Sequence, residues 1–184
     1  MIIAFNGDIG CGKSSACQYL QDYHGFIWND LADPIRQICA IMFGVSVDAL
    51  GDRTFKEKLH PDLLVSPRTF MRQFGTEFAR ETLGREIWLK ILLKKIQTSH
   101  QSVDCCVSDL RFQNEADALT TMPECSIIHI TRASNPFSVD THHSSEDGID
   151  PKYFNYSIEN NSTEEDFHHR LSKMVRGISR FDCK

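Results

Sequence analysis

The segment Gly7-Asp8-Ile9-Gly10-Cys11-Gly12-Lys13-Ser14 matches the spacing G-x-x-x-x-G-K-[ST]. It follows directly on the apolar residues 2–5 (Ile-Ile-Ala-Phe), a pattern typical of a buried strand. Glycines at such a turn let the backbone curl so that successive N–H groups point inward, and a helix that begins near Lys13 directs its positive end at the same place. The alternative is a glycine-rich turn that contains a lysine by chance, and the flanking strand and helix argue against it. The sequence therefore predicts a loop that binds the phosphates of a nucleotide.

Two side chains of this loop have predicted tasks. Lys13 would reach the β- and γ-phosphates, and the hydroxyl of Ser14 would bind Mg²⁺. The residues expected to cradle the nucleotide phosphates are Gly7, Ile9, Gly10, Cys11, Gly12, Lys13, Ser14 and Ser15.

Strand patterns alternate with helical patterns along the rest of the chain. The predicted strands are 2–5, 25–28, 103–107, 126–130 and 156–158, and the predicted helices are 13–23, 30–43, 66–83, 86–99, 114–122 and 162–178. Ser66-Pro67 opens the third helix, and Ser162 with Glu165 has the spacing of a capping box at the last one. This alternation predicts an α/β fold: a five-stranded parallel sheet with helices on both faces and the ligand over the carboxyl ends of the strands.

Composition sets limits on the class of protein. The chain has 184 residues, 41% of them hydrophobic, which suits a single domain over 1–184. A formal net charge of -5 argues against a general nucleic-acid binder. No run of 18 apolar residues occurs, and the predicted N-terminal strand leaves no room for an export signal, so we expect a soluble cytoplasmic protein without a membrane partner. Seven cysteines without a C-x-x-C pair are expected to be reduced thiols, mostly in the core.

Asp109 stands just beyond the carboxyl end of the predicted strand 103–107. A carboxylate there has the position of a Walker-B residue, which holds Mg²⁺ directly or through water across from the Ser14 hydroxyl. Arg111, two residues further on, is placed to touch phosphates.

Arginine is plentiful for an acidic chain. Arg68, Arg72 and Arg80 share one predicted helix at separations of 4 and 8, so all three can lie near one face and clamp a second phosphorylated ligand. The alternative is a solvated helix face on which Glu77 and Glu81 pair with them. A parallel α/β sheet is expected to bring together, above the phosphate loop, Arg36, Arg68, Arg72, Arg80, Arg85, Arg111 and Arg132.

Asp33 and Arg36 follow the second predicted strand as Asp33-Pro34-Ile35-Arg36. The Asp33 carboxylate could accept a hydrogen bond from an attacking oxygen or orient it, and Arg36, one turn away, could hold the phosphate of an acceptor. The alternative is that Asp33 only places a negative charge at the start of a helix, where the macrodipole favours it. The two roles are compatible.

A phosphate loop alone does not separate a kinase from a GTPase switch or a motor. The guanine-reading motif N-K-x-D is absent from this chain, which disfavours the switch. The arginine-rich helix supplies a candidate second anion site, which favours a kinase.

Several motifs, taken in order, resemble the deoxynucleoside monophosphate kinases of tailed bacteriophages. The match spans nearly the whole chain, and its most specific parts are the phosphate loop and the D-x-R-F-x-N-E segment. The motifs are Asp33-Pro34, Ser66-Pro67-Arg68, Gln73-Phe74-Gly75-Thr76-Glu77 with Arg80, Trp88, Ser108-Asp109-Leu110-Arg111-Phe112-Gln113-Asn114-Glu115, His143-Ser144-Ser145-Glu146 and Asn160-Asn161-Ser162-Thr163.

The resemblance implies a three-layer P-loop kinase fold in a phage-encoded enzyme of the host cytoplasm. It implies Mg²⁺-ATP as donor and a deoxynucleoside monophosphate as acceptor, an acceptor-binding helical region at about 34–100, and a lid-like loop at about 132–153. Lys13, Arg111 and Arg132 would neutralise the transferring group, with Ser14 and Asp109 holding Mg²⁺. The implied acceptor site comprises Asp33, Arg36, Arg68, Arg72, Gln73, Thr76, Arg80, Trp88 and Glu115, and the adenine contacts are Asn160, Asn161 and Thr163.

Some alternatives stay open at this point. Trp88 could stack on the acceptor base or could be an ordinary core residue. Dephospho-coenzyme A kinases share the architecture and place a similar Asp after the second strand, but their arginine-rich lid is not evident, since Arg132 is the only arginine between Phe112 and Arg170. A nucleotide-binding regulator or ATPase without a small acceptor is the rival from another class. The sequence leaves open the accepted bases and whether the chain forms a homodimer.

Overall fold

The computed structural model describes residues 1–99, 103–133 and 148–181. The chain divides into two compact units: the first comprises Met1–Asp30 and Lys95–Lys184, and the second comprises Leu31–Lys94. In the described part of the chain, no helix is both long and apolar enough to cross a membrane.

The strands form one parallel sheet, as the alternating pattern predicted, in the order β2-β3-β1-β4-β5. In chain order they are β1 (Ile2–Asn6), β2 (Ile27–Trp28), β3 (Cys105–Val107), β4 (Cys125–Thr131) and β5 (Tyr156–Glu159). The α-helices of the described residues are α1 (Lys13–His24), α2 (Asp33–Phe43), α3 (Arg53–Glu57), α4 (Pro67–Arg72), α5 (Ala79–Thr82), α6 (Ile87–Ser99), α7 (Gln113–Thr120) and α8 (Glu164–Phe181).

Strand β1 lies at the centre of the sheet. It pairs with β3 on one side and β4 on the other, and all five of its residues are buried, which explains why it reads as a continuous apolar run. Phe5 pairs with Ile128 of β4, and both pack in one core cluster with Phe167 and Leu171 of α8. Ala4 and Ile127, one residue earlier in each strand, face the other way, and α7 packs against β4.

Helix α8 buries Phe167, Leu171, Val175 and Ile178, which recur at the three- and four-residue spacing of one helix face. The predicted capping box of Ser162 and Glu165 is wrong by one residue. The hydroxyl of Thr163 accepts a hydrogen bond from the backbone N–H of Asp166 at 3.3 Å, so the helix begins at Glu164. The hydroxyl of Ser162 instead donates to the Asp166 carboxylate.

The second unit is helical. Its core consists of Cys39, Ala40 and Phe43 of α2 with Leu50, and Phe55 and Phe70 pack against it. As predicted, Ser66 caps α4, because its hydroxyl accepts a hydrogen bond from the backbone N–H of Thr69 at 3.2 Å. A 3₁₀ turn at Asp48–Gly51 precedes α3.

The predicted continuous helix 66–83 is interrupted. A π-helical stretch, Gln73–Phe78, joins α4 to α5. Gly75 lies inside this stretch, where a Cβ atom would come within 2.7 Å of Ile35 Cδ1. Its carbonyl accepts a hydrogen bond from the indole N–H of Trp88 at 2.8 Å, so tertiary contacts support the wider turn.

The cysteines in the described residues are free thiols, and five of them are buried (Cys11, Cys17, Cys39, Cys105 and Cys106), as predicted. Burial raises the pKa of the Cys39 thiol to about 11 and that of Cys125 to about 12. These thiols therefore stay protonated near neutral pH and act as small core side chains. Cys183 lies outside the described residues.

Candidate functional site

The phosphate loop joins β1 to α1. Its glycines Gly7, Gly10 and Gly12 all have positive φ, a conformation that L side chains rarely adopt. At Gly7 a Cβ atom would lie 2.2 Å from the backbone oxygen of Ile130, so this position tolerates glycine alone. The loop thus lies close against the carboxyl end of β4, and α1 begins at Lys13 immediately after Gly12.

Lys13 is held inside the curl of the loop. Its ammonium group donates to the backbone oxygens of Gly7 at 2.6 Å and Asp8 at 2.7 Å. Burial lowers the pKa of Lys13, the nearby Cys11 side chain opposes that shift, and the guanidinium of Arg111 lowers it further. Arg111 therefore lies within electrostatic range of Lys13, and the loop concentrates positive charge that an anion would neutralise.

Ser14 and Asp109 are the predicted metal-binding pair. Ser14 is exposed in the first turn of α1, and Asp109 is partly exposed beyond β3. The charge of Asp109 acts on the buried thiol of Cys17, which lies one turn after Ser14 on α1. The Asp109 carboxylate therefore lies within electrostatic range of the helix that carries Ser14.

Asp30 is a site residue that sequence reasoning missed. Its buried carboxylate follows β2 and accepts hydrogen bonds from the Ser108 backbone N–H at 2.8 Å and from the Trp28 indole at 2.9 Å. The Ser108 hydroxyl lies 2.8 and 3.0 Å from its two oxygens. Asp30 therefore fixes the residue that precedes Asp109. The one sequence signal was an acidic residue directly after an apolar strand.

Asn160 connects the β5–α8 turn to the phosphate loop. Its side-chain amide donates to the Cys11 oxygen at 2.8 Å, and its backbone N–H donates to the Thr131 oxygen at 2.8 Å. A guanidinium N–H of Arg132 donates to the Gly10 oxygen at 3.3 Å. A cavity of about 260 Å³ opens here, lined by Gly12, Ser15, Arg132, Asn160, Ser162, Glu164 and Phe167.

The other predicted donor-site residues lie around this cavity or on the loop. The Asn161 side chain accepts from the Ala133 backbone N–H at 2.8 Å, and Thr163 caps α8. The Ser15 hydroxyl donates to Glu164 at 3.0 Å and lies 2.9 Å from His168 Nε2. Ile9 is an exposed residue of the loop.

In the second unit, Asp33 and Arg36 form an ion pair of 2.9 Å in the first turn of α2. Asp33 is the first residue of that helix, so the predicted favourable charge at a helix start is present. The pair holds the Arg36 guanidinium in a defined position.

Arg68, Arg72 and Arg80 flank the π-helical stretch, which also carries the exposed Gln73 and the partly exposed Thr76. A π turn takes about one residue more than an α turn, so the 12 residues from Arg68 to Arg80 make about three full turns, which places the two side chains on nearly the same face. Arg68 pairs with Glu57 at 3.4 Å, and Arg80 donates to the Arg85 backbone oxygen at 3.0 Å. Arg72 is exposed and has no ion pair within the described residues.

Trp88 and Glu115 are both buried. Trp88 is 4% exposed, and its indole N–H donates to the Gly75 oxygen. It therefore occupies a core position, which the sequence had left open as the alternative to stacking on the acceptor base. Glu115 accepts hydrogen bonds at Oε2 from the backbone N–H groups of Arg111 at 3.1 Å and Phe112 at 3.0 Å. Glu115 thereby orders the turn that presents Arg111.

The predicted arginine convergence divides between the two units. Arg36, Arg68, Arg72, Arg80 and Arg85 lie in the second unit, and Arg111 and Arg132 in the first. Most of the predicted lid-like loop 132–153 lies outside the described residues, as does the motif His143-Ser144-Ser145-Glu146.

Comparisons with known proteins report on the family of this chain. The family model described as deoxynucleotide monophosphate kinase matches residues 53–171. A protein of Acanthamoeba polyphaga mimivirus described as a kinase of this kind is 29% identical over 199 residues, covering 99% of this chain and all of the relative. The deoxynucleoside-5′-monophosphate kinase of Escherichia phage T5 is 21% identical over 224 residues, covering 87% of this chain and 89% of the relative.

Among solved structures, the dephospho-CoA kinase from Campylobacter jejuni is similar with a TM-score of 0.57 at 16% identity, covering 98% of both chains. Together with the parallel sheet and the loop, this similarity shows a P-loop kinase fold. The family model covers well over half of the chain, so the protein belongs to the deoxynucleotide monophosphate kinase family, as its motifs predicted.

Proposed function

We propose that this protein transfers the γ-phosphate of ATP to a deoxynucleoside monophosphate, giving ADP and a deoxynucleoside diphosphate. Family membership supports a deoxynucleotide monophosphate kinase. The single observation that carries the proposal is the phosphate loop, in which the ammonium group of Lys13 lies 2.6 and 2.7 Å from two loop carbonyls. A polyphosphate is a stronger acceptor than a carbonyl and would draw that ammonium group to itself.

The donor nucleotide would bind over the phosphate loop. Lys13 and Arg111 neutralise charge on the transferring phosphate, and Arg132 supplies a further guanidinium. The cavity beside Asn160 and Phe167 offers an apolar wall and polar rim to the adenine. The Asn160 side chain donates a hydrogen bond to the Cys11 oxygen of the loop, so it would keep the donor base at a fixed position relative to the phosphates.

The side chains of Ser14 and Asp109 are also suited to binding Mg²⁺. A serine hydroxyl and a carboxylate are oxygen ligands of the kind that Mg²⁺ takes alongside phosphate oxygens and water, and Asp109 lies near the helix that carries Ser14. When bound, Mg²⁺ would neutralise charge on the β- and γ-phosphates. Asp30 would keep the Asp109 turn in place through Ser108.

The acceptor would be held by the second unit. Arg36, Arg68, Arg72 and Arg80 supply guanidinium groups for its monophosphate, and Gln73 and Thr76 supply polar groups beside them. Trp88 would act indirectly, because it supports the π-helical stretch that carries Gln73 and Thr76. Glu115 would act indirectly as well, through the Arg111 turn.

The reaction is an in-line displacement. A phosphate oxygen of the acceptor attacks the γ-phosphorus, the bond from that phosphorus to the β–γ bridging oxygen breaks, and ADP leaves with the bonding electron pair. The attacking oxygen is already deprotonated near neutral pH, so Asp33 serves to orient Arg36 and the acceptor rather than to remove a proton. Catalysis comes mainly from positioning and charge neutralisation.

A coupled assay of ADP release tests the proposal. The panel comprises the four common deoxynucleoside monophosphates, the matching ribonucleotides and dephospho-coenzyme A, each with ATP and Mg²⁺. We expect turnover with at least one deoxynucleoside monophosphate. Turnover with dephospho-coenzyme A alone would move the protein to the other kinase class, and ATP hydrolysis independent of any acceptor would indicate an ATPase or regulator.

We also propose that the enzyme works in the cytoplasm of an infected cell. The relatives in Escherichia phage T5 and the mimivirus support a viral origin. Deoxynucleotide pools and ATP are both available in that compartment. Fractionation of infected cells would test this assignment.

A further inference from the structure

Lys56 differs from its neighbours in the short helix α3. It is partly buried, whereas Arg53 and Lys58 on either side are exposed. Asp52 caps the helix by accepting hydrogen bonds from the backbone N–H groups of Thr54 and Phe55. Helix α3 packs against α4, and the Lys56 side chain is partly shielded from solvent.

Lys56 lies within electrostatic range of three guanidinium groups, those of Arg36, Arg68 and Arg53. Glu57 is shared between Arg53, at 3.2 Å, and Arg68, at 3.4 Å. The cluster therefore joins α2, α3 and α4 at one place in the second unit.

The cluster brings four cations together in a chain whose net charge is -5: Arg36, Arg53, Lys56 and Arg68. Two carboxylates, Asp33 and Glu57, form ion pairs with the arginines. Within the described residues, the Lys56 ammonium group has neither a hydrogen bond nor a salt bridge.

The unpaired charge of Lys56 disfavours the folded state. Burial lowers the pKa of Lys56, and Arg36, Arg68 and Arg53 lower it further, while Glu57 alone opposes them. A charge kept in such a place without a partner marks a candidate functional residue. A phosphate monoester carries about 1.5 to 2 negative charges at neutral pH and would supply the anionic partner that Lys56 lacks.

We propose that Lys56 is a further substrate-binding residue that contacts the 5′-phosphate of the acceptor together with Arg36 and Arg68. This inference rests on the proposed function, because it assigns the phosphate of the same acceptor to a particular group of side chains. It also accounts for selection of a monophosphate over the unphosphorylated deoxynucleoside, since the latter brings no anion to Lys56.

The test compares Lys56→Met with Lys58→Met, which removes an exposed lysine two residues away. Lys56→Met should raise the acceptor KM about tenfold to a hundredfold, the loss expected for a charge-assisted contact, and leave the ATP KM within twofold. Lys58→Met should change neither. Lys56→Arg should recover much of the acceptor affinity, because it restores the charge.

Thermal unfolding without ligand separates binding from a structural role. Removal of an unfavourable, partly buried charge should leave the Tm of Lys56→Met equal to or above that of the wild type. Added inorganic phosphate should raise the Tm of the wild type and of Lys58→Met, and should raise that of Lys56→Met less.

These readouts distinguish two failures. An unchanged acceptor KM and an unchanged response to phosphate in Lys56→Met would overturn the Lys56 assignment while the kinase activity stands. Absence of turnover by the wild type with every monophosphate would overturn the proposed function, and the phosphate response would then still show whether Lys56 binds an anion. A lowered Tm with an unaltered KM would indicate a structural role and overturn the inference.

Discussion

Asp30 and Ser108 join the carboxyl ends of two neighbouring strands through a buried carboxylate. The Ser108 backbone N–H donates to Asp30 at 2.8 Å, and the Ser108 hydroxyl lies 2.8 and 3.0 Å from its two oxygens. Asp30 is 3% exposed, and Trp28 donates a further hydrogen bond at 2.9 Å. This contact fixes the turn that presents Asp109.

Replacing Asp30 by alanine should destabilise the protein by about 2–4 kcal/mol, because it leaves the Ser108 and Trp28 donors buried without an acceptor. Urea unfolding followed by circular dichroism measures the change. The control is Asp22→Ala, which removes an exposed carboxylate of α1 and should shift stability by about 0.5 kcal/mol or less. Equal effects of the two substitutions would contradict the importance of the buried contact.

Lys13→Ala should abolish turnover and leave the fold intact. The ammonium group contributes charge to the transferring phosphate. In the structure it donates to two loop carbonyls, and these can accept hydrogen bonds from water instead when the lysine is removed. We expect a kcat at least about 10²-fold lower, comparable with removal of one donor that stabilises transition-state charge. Near-normal kcat would refute the kinase mechanism, and Lys173→Ala on the exposed side of α8 serves as the control.

Asp109→Asn should weaken the response to Mg²⁺. An amide oxygen carries no full charge, so it binds a hard divalent cation less well than a carboxylate does. A titration of kcat/KM against Mg²⁺ should show a higher half-saturating concentration for the variant, and EDTA should stop the wild type. Activity that persists in EDTA would exclude this role for Ser14 and Asp109.

The sheet and the phosphate loop were predictable because their signals are local. Residues 2–5 and the loop that follows are contiguous, and glycine spacing reports directly on backbone conformation. The alternation of strands and helices also predicts parallel pairing, whereas the order β2-β3-β1-β4-β5 depends on contacts between distant strands.

Other features depend on contacts between distant residues and gave no such signal. The π-helical stretch depends on Trp88 reaching the Gly75 carbonyl and on Ile35 packing against Gly75. Asp30 gains its role from Ser108, which is 78 residues away. Lys56 comes within electrostatic range of Arg36 and Arg68 only when α2, α3 and α4 pack together. Spacing along one helix, which suggested Arg68, Arg72 and Arg80, does not report such encounters.

Arg72→Ala tests the arginine helix as an acceptor site. Arg72 is exposed and has no ion pair in the described part of the chain, so its removal should leave stability nearly unchanged. If it contacts the acceptor phosphate, kcat/KM for the monophosphate should fall roughly ten- to hundredfold, a loss of about 1.5–3 kcal/mol. ATP binding measured without acceptor should be unaffected. Lys90→Ala, on the exposed side of α6, is the control.

Which substrate binds more weakly to Arg72→Ala decides between two interpretations of this helix. A loss confined to ATP affinity, or no loss, would return Arg72 to the solvated helix face that Glu77 and Glu81 would share. The acceptor phosphate would then be assigned to Arg36, Lys56 and Arg68 alone.

His129 links pH to the stability of the phosphate loop. Its Nδ1 lies 2.9 Å from Asn6 Oδ1, and the Asn6 amide nitrogen donates to the Leu110 oxygen at 3.1 Å, so the Asn6 oxygen accepts and the neutral ring carries its proton on Nδ1. The ring also stacks on Phe154, with centroids 4.5 Å apart. Burial lowers the pKa of His129, the Asp8 carboxylate opposes that shift, and Lys13 adds to it.

The sign of the pH dependence follows from that direction. Because the folded pKa lies below the unfolded value of about 6.5, the unfolded chain binds more protons in the window below pH 6.5. The free energy of unfolding should therefore decrease as the pH falls from 7.5 toward 5.5. His129→Gln removes this contribution and should flatten the curve measured by urea unfolding at the two pH values. Some slope should remain, since burial also lowers the pKa of His24. If the free energy of unfolding changed with pH equally in wild type and His129→Gln, His129 would have the same pKa in the folded and unfolded chains.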